Sequence, residues 1–356
     1  MRVFVTGGTG LLGNNLVRAL RARGHAVRAL VRSKSKADAL LAGTGAEIVV
    51  GDMRDVRSFE GALAGCDTVA HTAAYFREYY APGDHRPALE EINIQGTLAL
   101  LAAADAHGIR RFVQTSSAGT VGQTADGSQA NEQTPASEAQ LANLYFKSKV
   151  DGDRRIGEFT PKSGMTIATV LPGWMFGPGD AGPTRAGEMV LDALAGKLPG
   201  VPPGGTTVVD ARDVASAMVT MLERNVPNER FIVAGRFHTL RDVLDATMDA
   251  AGKKRIGFSL PPWLALSMAH ASEAWASLTK GSPMVPLEGV RMLLQEFRPS
   301  SARAERELGV TFRPLAQTIQ DVVAWYAAHG ELIRPVQPAR SERSPEPRVV
   351  PSPRTS

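Results

Sequence analysis

The first thirteen residues constrain the fold of this chain more than any other stretch. The apolar run Val3–Thr6 breaks into Gly7-Gly8-Thr9-Gly10-Leu11-Leu12-Gly13, after which Leu12, Leu16 and Leu20 recur at helical spacing as far as Arg23. Glycines at such points permit a tight turn, let the backbone approach a pyrophosphate, and let the helix pack close to the strand. The start of that helix presents free N–H groups and a partial positive charge to phosphate oxygens. A glycine triplet alone would be weak; the strand before it and the helix after it are the context that gives it meaning. Gly7, Thr9, Gly10, Leu11, Leu12 and Gly13 are therefore candidate dinucleotide contacts.

The same alternation continues. Val27–Val31, Glu47–Val50, Thr68–His71, Arg111–Thr115 and Thr166–Leu171 read as strands; Asp38–Leu41, Val56–Leu63, Leu89–His107 and Leu144–Glu158 read as helices between them. This predicts an α/β chain: a doubly wound parallel sheet of Rossmann type over residues 1–173, with later segments returning to it. Gly177, Pro178, Gly179, Gly182 and Pro183 then punctuate a loop, and residues 174–330 are expected to form a smaller, less regular α/β substrate lobe. Residues 331–356 carry six prolines, several arginines and serines, and too few apolar side chains to fold; they are expected to be a disordered tail.

Several functions are disfavoured by composition. Net charge is +4 and pI near 9.3, but no block of like charge occurs in the body, so a nucleic-acid partner has no support. One cysteine, Cys66, allows neither an internal disulfide nor a cysteine metal cluster, and no metal is expected. Met1 leads straight into an apolar strand without a secretory pattern, which points to a cytoplasmic protein. The apolar stretch Ile256–Thr279 holds His270, Glu273 and two prolines, so it is expected to be a buried or lid helix rather than a spanning one.

Where the second strand ends, the chain reads Arg32-Ser33-Lys34-Ser35-Lys36. NAD-preferring sites place an acidic residue here; cations and hydroxyls suit a 2′-phosphate instead, with Arg32 bidentate and Lys36 in support. NADP(H) is thus favoured over NAD(H). Asp52, followed by Met53, sits after the third strand, where a carboxylate can accept from the adenine amino group. Ala73 and Ala74 follow the fourth strand and let backbone pass close to a ligand, and His71 before them reads as a packed strand-end histidine without a catalytic role.

Tyr145 and Lys149 lie four apart on one helix face. A phenol of pKa about 10 is a poor base at neutral pH. An ammonium about 4 Å away, at an effective dielectric near 20, contributes roughly 4 kcal/mol and lowers that pKa by up to ~3. Tyr145 can then exchange a proton with a substrate oxygen while hydride moves to or from a nicotinamide. Thr115-Ser116-Ser117-Ala118 supplies hydroxyls at the end of a strand, the edge where open α/β sheets bind ligands.

Taken together, Thr6–Gly13, Gly51-Asp52, His71–Ala74, Thr115–Ala118, Tyr145–Lys149 and Leu171-Pro172-Gly173 through Gly177-Pro178-Gly179-Asp180 resemble the extended short-chain dehydrogenases/reductases of the NAD-dependent epimerase/dehydratase superfamily, over residues 1 to about 330. The resemblance implies a Ser-Tyr-Lys triad in which the serine followed by alanine, Ser117, is the active one, with Ser116 as fallback. It also implies that Lys149 meets the nicotinamide ribose, that Pro172, Gly173 and Met175 lie beside the nicotinamide ring, and that Asn93 holds active-site backbone. Relatives often pair helices into a homodimer, which would use Leu89–His107 and Leu144–Glu158.

Thr115–Val121, Tyr145–Lys149 and Val208–Ala215 look most like the dihydroflavonol 4-reductase branch and the related hydroxysteroid dehydrogenases. Gly204-Gly205-Thr206-Thr207 stands where sugar-nucleotide enzymes carry an aromatic Arg-Asp-Phe-type stretch, and cations for a diphosphate are few: Arg185, Lys197, Arg236. Tyr75, Phe76, Tyr79, Tyr80, Trp174 and Met175 crowd the expected pocket edge and favour a hydrophobic carbonyl or alcohol as the small-molecule substrate. Two other readings stand beside oxidoreduction: a nucleotide-sugar epimerase or dehydratase, and a non-catalytic NADP(H) sensor. The sensors usually lack the intact tyrosine–lysine pair that this chain keeps.

Overall fold

Strand β1 (Arg2–Thr6) is the axis of the molecule. Its side chains alternate: Val3 and Val5 enter one apolar layer and Phe4 the opposite one, as a strand buried on both faces requires. The computed structural model describes residues 1–76, 79, 83–124, 129–226, 228–279 and 287–330. Tyr80 and the tail 331–356 therefore lie outside the described residues.

Seven parallel strands make the main sheet, in the order β3-β2-β1-β4-β5-β6-β9. They are β1, β2 (Ala26–Val31), β3 (Glu47–Val50), β4 (Thr68–His71), β5 (Arg111–Thr115), β6 (Thr166–Pro172) and β9 (Arg230–Val233). The strand order reverses between β1 and β4, and a crevice opens at their carboxyl ends. On one face, α1 (Leu11–Ala22) and α8 (Ala211–Arg224) pack against each other and the sheet through Leu12, Leu16, Leu20, Val214, Met218 and Met221. On the other, Leu100, Leu101 and Ala104 of α4 (Gly96–Ala106) and Ile156 of α6 (Leu144–Glu158) cover Phe4, Val69 and Phe112.

Three elements differ in form from the sequence reading. The helix at Asp38–Leu41 starts earlier, as α2 (Lys34–Leu40), because the Ser33 hydroxyl accepts from Lys36 N and caps it. Val56–Leu63 is two 3-10 turns, Val56–Ser58 and Glu60–Leu63, interrupted at Phe59. Leu89–His107 is continuous but begins as the π-helical segment Leu89–Gln95 after the short α3 (Arg86–Ala88), a form often found at functional sites.

Beyond β6 the chain builds a second sheet, β10-β8-β7, from β7 (Trp174–Phe176), β8 (Gly205–Asp210) and β10 (Arg236–Thr239). It packs with α7 (Arg185–Leu194), α9 (Leu240–Ala250) and α13 (Leu315–Ala328) around Phe176, Val190, Val208, Val243 and Ile319. Between these segments the chain returns to the large sheet with α8, β9 and α12 (Ala302–Leu308). A short α5 (Glu138–Ala142) precedes α6. The stretch Ile256–Thr279 forms α10 (Pro262–Thr279), packed on α11 (Leu287–Leu294). Of the two forms expected, buried or lid, the buried one does not hold: only Ala265, Ala269 and Ala276 are buried in it. Among the described residues, no helix is long and apolar enough to cross a membrane.

Candidate active site

The β1–α1 turn is built by close contact. Gly7 has φ +70°, and a Cβ on Gly13 would sit 2.0 Å from the Gly7 carbonyl oxygen, so no side chain fits. Gly10 caps α1 without a side chain, which leaves the first-turn N–H groups facing the crevice. This cradle fits a pyrophosphate. Inside α1, Asn14 donates to the Gly179 carbonyl at 3.0 Å and Asn15 to that of Pro178 at 2.8 Å, tying the Gly177–Gly179 loop to the turn.

His71 is a strut beneath the same edge. Its Nδ1 lies 2.6 Å from Thr6 Oγ1 and its Nε2 3.0 Å from Thr97 Oγ1. Thr97 gives its own proton to the Asn93 carbonyl, so it accepts from Nε2–H, and Nδ1 accepts from Thr6. Burial lowers the His71 pKa to about 3, with the Lys149 charge adding to the effect, so the ring stays neutral. Thr6 Oγ1 in turn accepts from Thr72 N and Ala73 N, which fixes the backbone that lines the crevice. Asn93 clamps the next stretch: its Oδ1 accepts from Tyr75 N at 2.7 Å and its Nδ2 donates to Tyr75 O.

Helix α6 is aimed by Asn143, whose side chain accepts from Phe146 N. Its buried face carries Tyr145, Ser148, Lys149 and Gly152. The Tyr145 ring packs against Phe76 at 4.8 Å, Phe146 at 5.8 Å and Tyr79 at 6.2 Å between centroids. Lys149 Nζ lies 5.8 Å from the Tyr145 ring centre and donates to the Thr115 carbonyl at 3.1 Å. Desolvation lowers the Lys149 pKa from 10.5 to about 8, and the carboxylate of Asp153 opposes that fall.

The two adjacent serines are turned differently. Ser116 Oγ donates to Asp153 Oδ2 at 2.8 Å, while the half-buried Ser117 accepts from Gly119 N at 3.1 Å; both serines line the crevice. Asp153, its side chain 13% exposed, is also 3.3 Å from Arg230. Burial pushes its carboxyl pKa up, against the pull of Arg230, Ser116 and Lys149. Asp153 was not singled out from the sequence, although its signal is there: an acid four residues after Lys149, on the same helix face.

One cavity of about 560 Å³ joins these parts. It is lined by Gly7, Thr9, Gly10, Leu11, Leu12 and Gly13, by Arg32 and Lys36, by Asp52 and Met53, by Ala73 and Ala74, by Ser117, Tyr145 and Lys149, and by Pro172, Gly173 and Met175. The exposed Arg32 and half-buried Lys36 stand at the end of β2 and the start of α2, while Lys34 pairs with Asp38 at 2.8 Å. Asp52 faces the cavity but already accepts from Arg54 N at 2.9 Å. Tyr75, Phe76 and Trp174 also line the cavity, whereas Tyr79 backs the Tyr145 ring.

Beyond the tyrosine, the cavity is walled by Met189, Leu198, Leu240, Leu244, Val290 and Leu293. None of these was singled out from the sequence. They come from α7, α9, α11 and the loop between α7 and β8, and only the tertiary fold brings them together. Of the cations considered for a diphosphate, Arg185 lines this wall within 2.7 Å of Glu188, and Lys197 pairs with Asp192 at 3.0 Å. Arg236 pairs with Glu305. Among the described residues no group of histidine, cysteine and carboxylate side chains could hold a metal.

A doubly wound sheet with a glycine cradle at its switch point and a Tyr-x-x-x-Lys helix beside it defines an NAD(P)-binding oxidoreductase fold. The chain belongs to the NAD dependent epimerase/dehydratase family, whose model matches residues 3–235. It is 33% identical over 331 residues (92% of this chain, 95% of the relative) to a Synechocystis sp. protein named "Putative dihydroflavonol 4-reductase". It is 32% identical over 332 residues (93% and 99%) to sterol demethylase protein B of Methylococcus capsulatus. Among solved structures, that of gox2253 superposes with a TM-score of 0.77 at 30% identity, covering 93% of this chain and 99% of that one. The chain is an oxidoreductase of this family, of the reductase/dehydrogenase kind.

Proposed function

We propose that the protein transfers hydride between NADP(H) and the carbonyl or alcohol carbon of a hydrophobic small molecule, with Ser117, Tyr145 and Lys149 handling the oxygen. The observation that carries this reading is the cavity itself. It runs from the Tyr145–Lys149 pair into a wall of Met189, Leu198, Leu240, Leu244, Val290 and Leu293, an environment suited to an apolar skeleton.

Gly7–Gly13 and the start of α1 would hold the pyrophosphate, Asp52 the adenine, and Arg32 with Lys36 the 2′-phosphate. Bound there, the reduced nicotinamide supplies the hydride. Tyr145 gives its hydroxyl proton to the substrate oxygen, and the Ser117 hydroxyl donates a hydrogen bond to the same oxygen. The Lys149 ammonium, held by the Thr115 carbonyl, stabilises the phenolate left on Tyr145. The Phe76 and Phe146 rings flank Tyr145 and limit water around it, so that charge acts at lower dielectric. In the oxidative direction the same groups run in reverse, with Tyr145 as base.

The sugar-nucleotide reading fares less well. A diphosphate entering the lobe would meet Arg185 and Lys197 already paired, beside the cavity-lining carboxylates Glu188 and Asp192. The likeness to the Synechocystis and Methylococcus proteins supports an apolar ring system as substrate class. NADPH and NADH consumption followed by absorbance against aldehydes, aromatic ketones, ketosteroids and UDP-hexoses tests the proposal. Turnover of a carbonyl with NADPH is expected; inertness toward carbonyls, with isomerised or dehydrated sugar in the UDP-hexose samples, would reassign the protein as an epimerase or dehydratase. Binding of NADPH without any oxidation would leave only a sensor.

A further inference from the structure

Among the described residues, six large apolar side chains are exposed, and four of them fall between residues 258 and 278. Phe258 is 55% exposed, Trp263 67%, Trp275 69% and Leu278 81%. At 100° per residue Trp263, Ala274, Leu278 and Ala271 share one side of α10, Trp275 lies at its edge, and the two indoles are about 18 Å apart along the axis. The exposed part of the helix holds Pro262, Thr279, serine, alanine and His270 besides these, and no charge. The single carboxylate of the helix, Glu273, is turned inward to accept from Leu287 N at 3.0 Å.

The approach to Phe258 is basic. From Asp249 to Glu288 the sequence holds Lys253, Lys254, Arg255 and Lys280 against Asp249, Glu273 and Glu288, and all three acids are engaged: Asp249 by Arg255, Glu273 by Leu287 N, and Glu288 by Tyr79 and Asn143. Lys253, Lys254 and Arg255 are exposed immediately before Phe258. Lys253 reaches the Leu194 carbonyl, while Arg255 is paired with Asp249 of α9. An apolar face with indoles at its ends and lysines at its approach has the chemistry of a bilayer interface, where tryptophans settle at headgroup depth and lysines attract anionic lipid.

We propose that Phe258 and the outer face of α10 dock on the surface of an anionic lipid bilayer. The location gives this docking a use, which rests on the hydrophobic-substrate reading above. The inner face of α10 packs through Ala265 and Ala269 against Val290 of α11, and Val290 with Leu293 walls the cavity. The docked face therefore lies one helix away from the apolar end of the site, and a substrate dissolved in the bilayer has a short route to it. The helix lies on the membrane and does not span it.

Sedimentation of the full-length protein with vesicles tests this, without substrate or cofactor, so its result is independent of the catalytic reading. Binding to phosphatidylcholine–phosphatidylglycerol vesicles is expected, with tryptophan emission moving to shorter wavelength. Trp263→Ser/Trp275→Ser/Leu278→Ser should weaken it by about tenfold or more, and so should Lys253→Gln/Lys254→Gln, at roughly one factor of five per lysine. All five side chains are exposed, and an unchanged melting temperature verifies folding. No sedimentation with these vesicles, or binding that the triple substitution leaves intact, overturns the proposal. Light scattering that finds a dimer broken by the triple substitution, with no vesicle binding, also overturns it and gives the face to a second copy of the chain.

Discussion

Lys149 should destabilise the fold that it serves. Its side chain is 5% exposed, and burial brings its pKa from 10.5 to about 8. Below pH 8 both the folded and unfolded chains hold the lysine proton, and the folded chain bears the whole penalty of a desolvated ammonium. At 1.36 kcal/mol per pH unit, a fall from 10.5 to about 8 is about 3 kcal/mol. Between pH 8 and 10.5 the folded chain has released the proton while the unfolded chain still binds it, so stability rises with pH and the penalty fades. Lys149→Met removes that penalty at every pH but also removes the hydrogen bond to the Thr115 carbonyl, worth about 1 kcal/mol. The variant should therefore be more stable than the parent by about 2 kcal/mol at pH 7. Near pH 10 the order should reverse. Denaturant midpoints of both cofactor-free proteins from pH 6.5 to 10 measure the difference, in which the other titrating groups largely cancel. A variant that is less stable throughout, by an amount independent of pH, would refute the argument. Turnover should fall by orders of magnitude in the same variant, the trade expected where a strained group does the chemistry.

Three further outcomes follow from the site. Tyr145→Phe should keep NADPH binding, read by fluorescence titration, and lose turnover by about a thousandfold or more; near-normal turnover would remove Tyr145 from the proton path. Arg32→Glu should raise Kd for NADPH far more than for NADH, and an equal loss for both would defeat the 2′-phosphate reading. In the parent, kcat/KM should decline above about pH 8 as Lys149 loses its proton, and Asp153→Asn should move that alkaline limb to lower pH by removing the charge that holds the Lys149 pKa up. An unmoved limb would show that another group sets it.

What the sequence made legible follows the range of the interactions involved. The six strands read from β-branched runs lie where the sheet has them, because two-sided burial leaves few polar residues to blur the pattern. Helix α6 begins at Leu144 and ends at Glu158 as read, since Asn143 caps it locally. The first turn of α2 was missed: Lys34-Ser35-Lys36 looks like a solvated turn until Ser33 is seen capping it. The π-helical form of Leu89–Gln95 has no local signature in the sequence. Strand β9 is four residues long, and its place depends on pairing with β6, some sixty residues earlier.

The site divides along the same line. The glycine turn, the tyrosine–lysine pair and the Ser116-Ser117 edge are each set by a few consecutive residues, so the sequence exposes them. The apolar wall is assembled from α7, α9, α11 and the loop after α7, all outside the large sheet, although α11 reaches α6 through Glu288, which accepts from Asn143 and Tyr79. Met189 and Leu240, on α7 and α9, should therefore tolerate a change of size with Tyr145, Lys149 and the Gly7–Gly13 cradle in place. If the proposed function holds, a fold arranged this way can exchange one hydrophobic substrate for another by altering Met189 or Leu240 while its hydride chemistry stays fixed. That separation is why the reaction can be read from short motifs, whereas the molecule that undergoes it must be read from the shape of the wall.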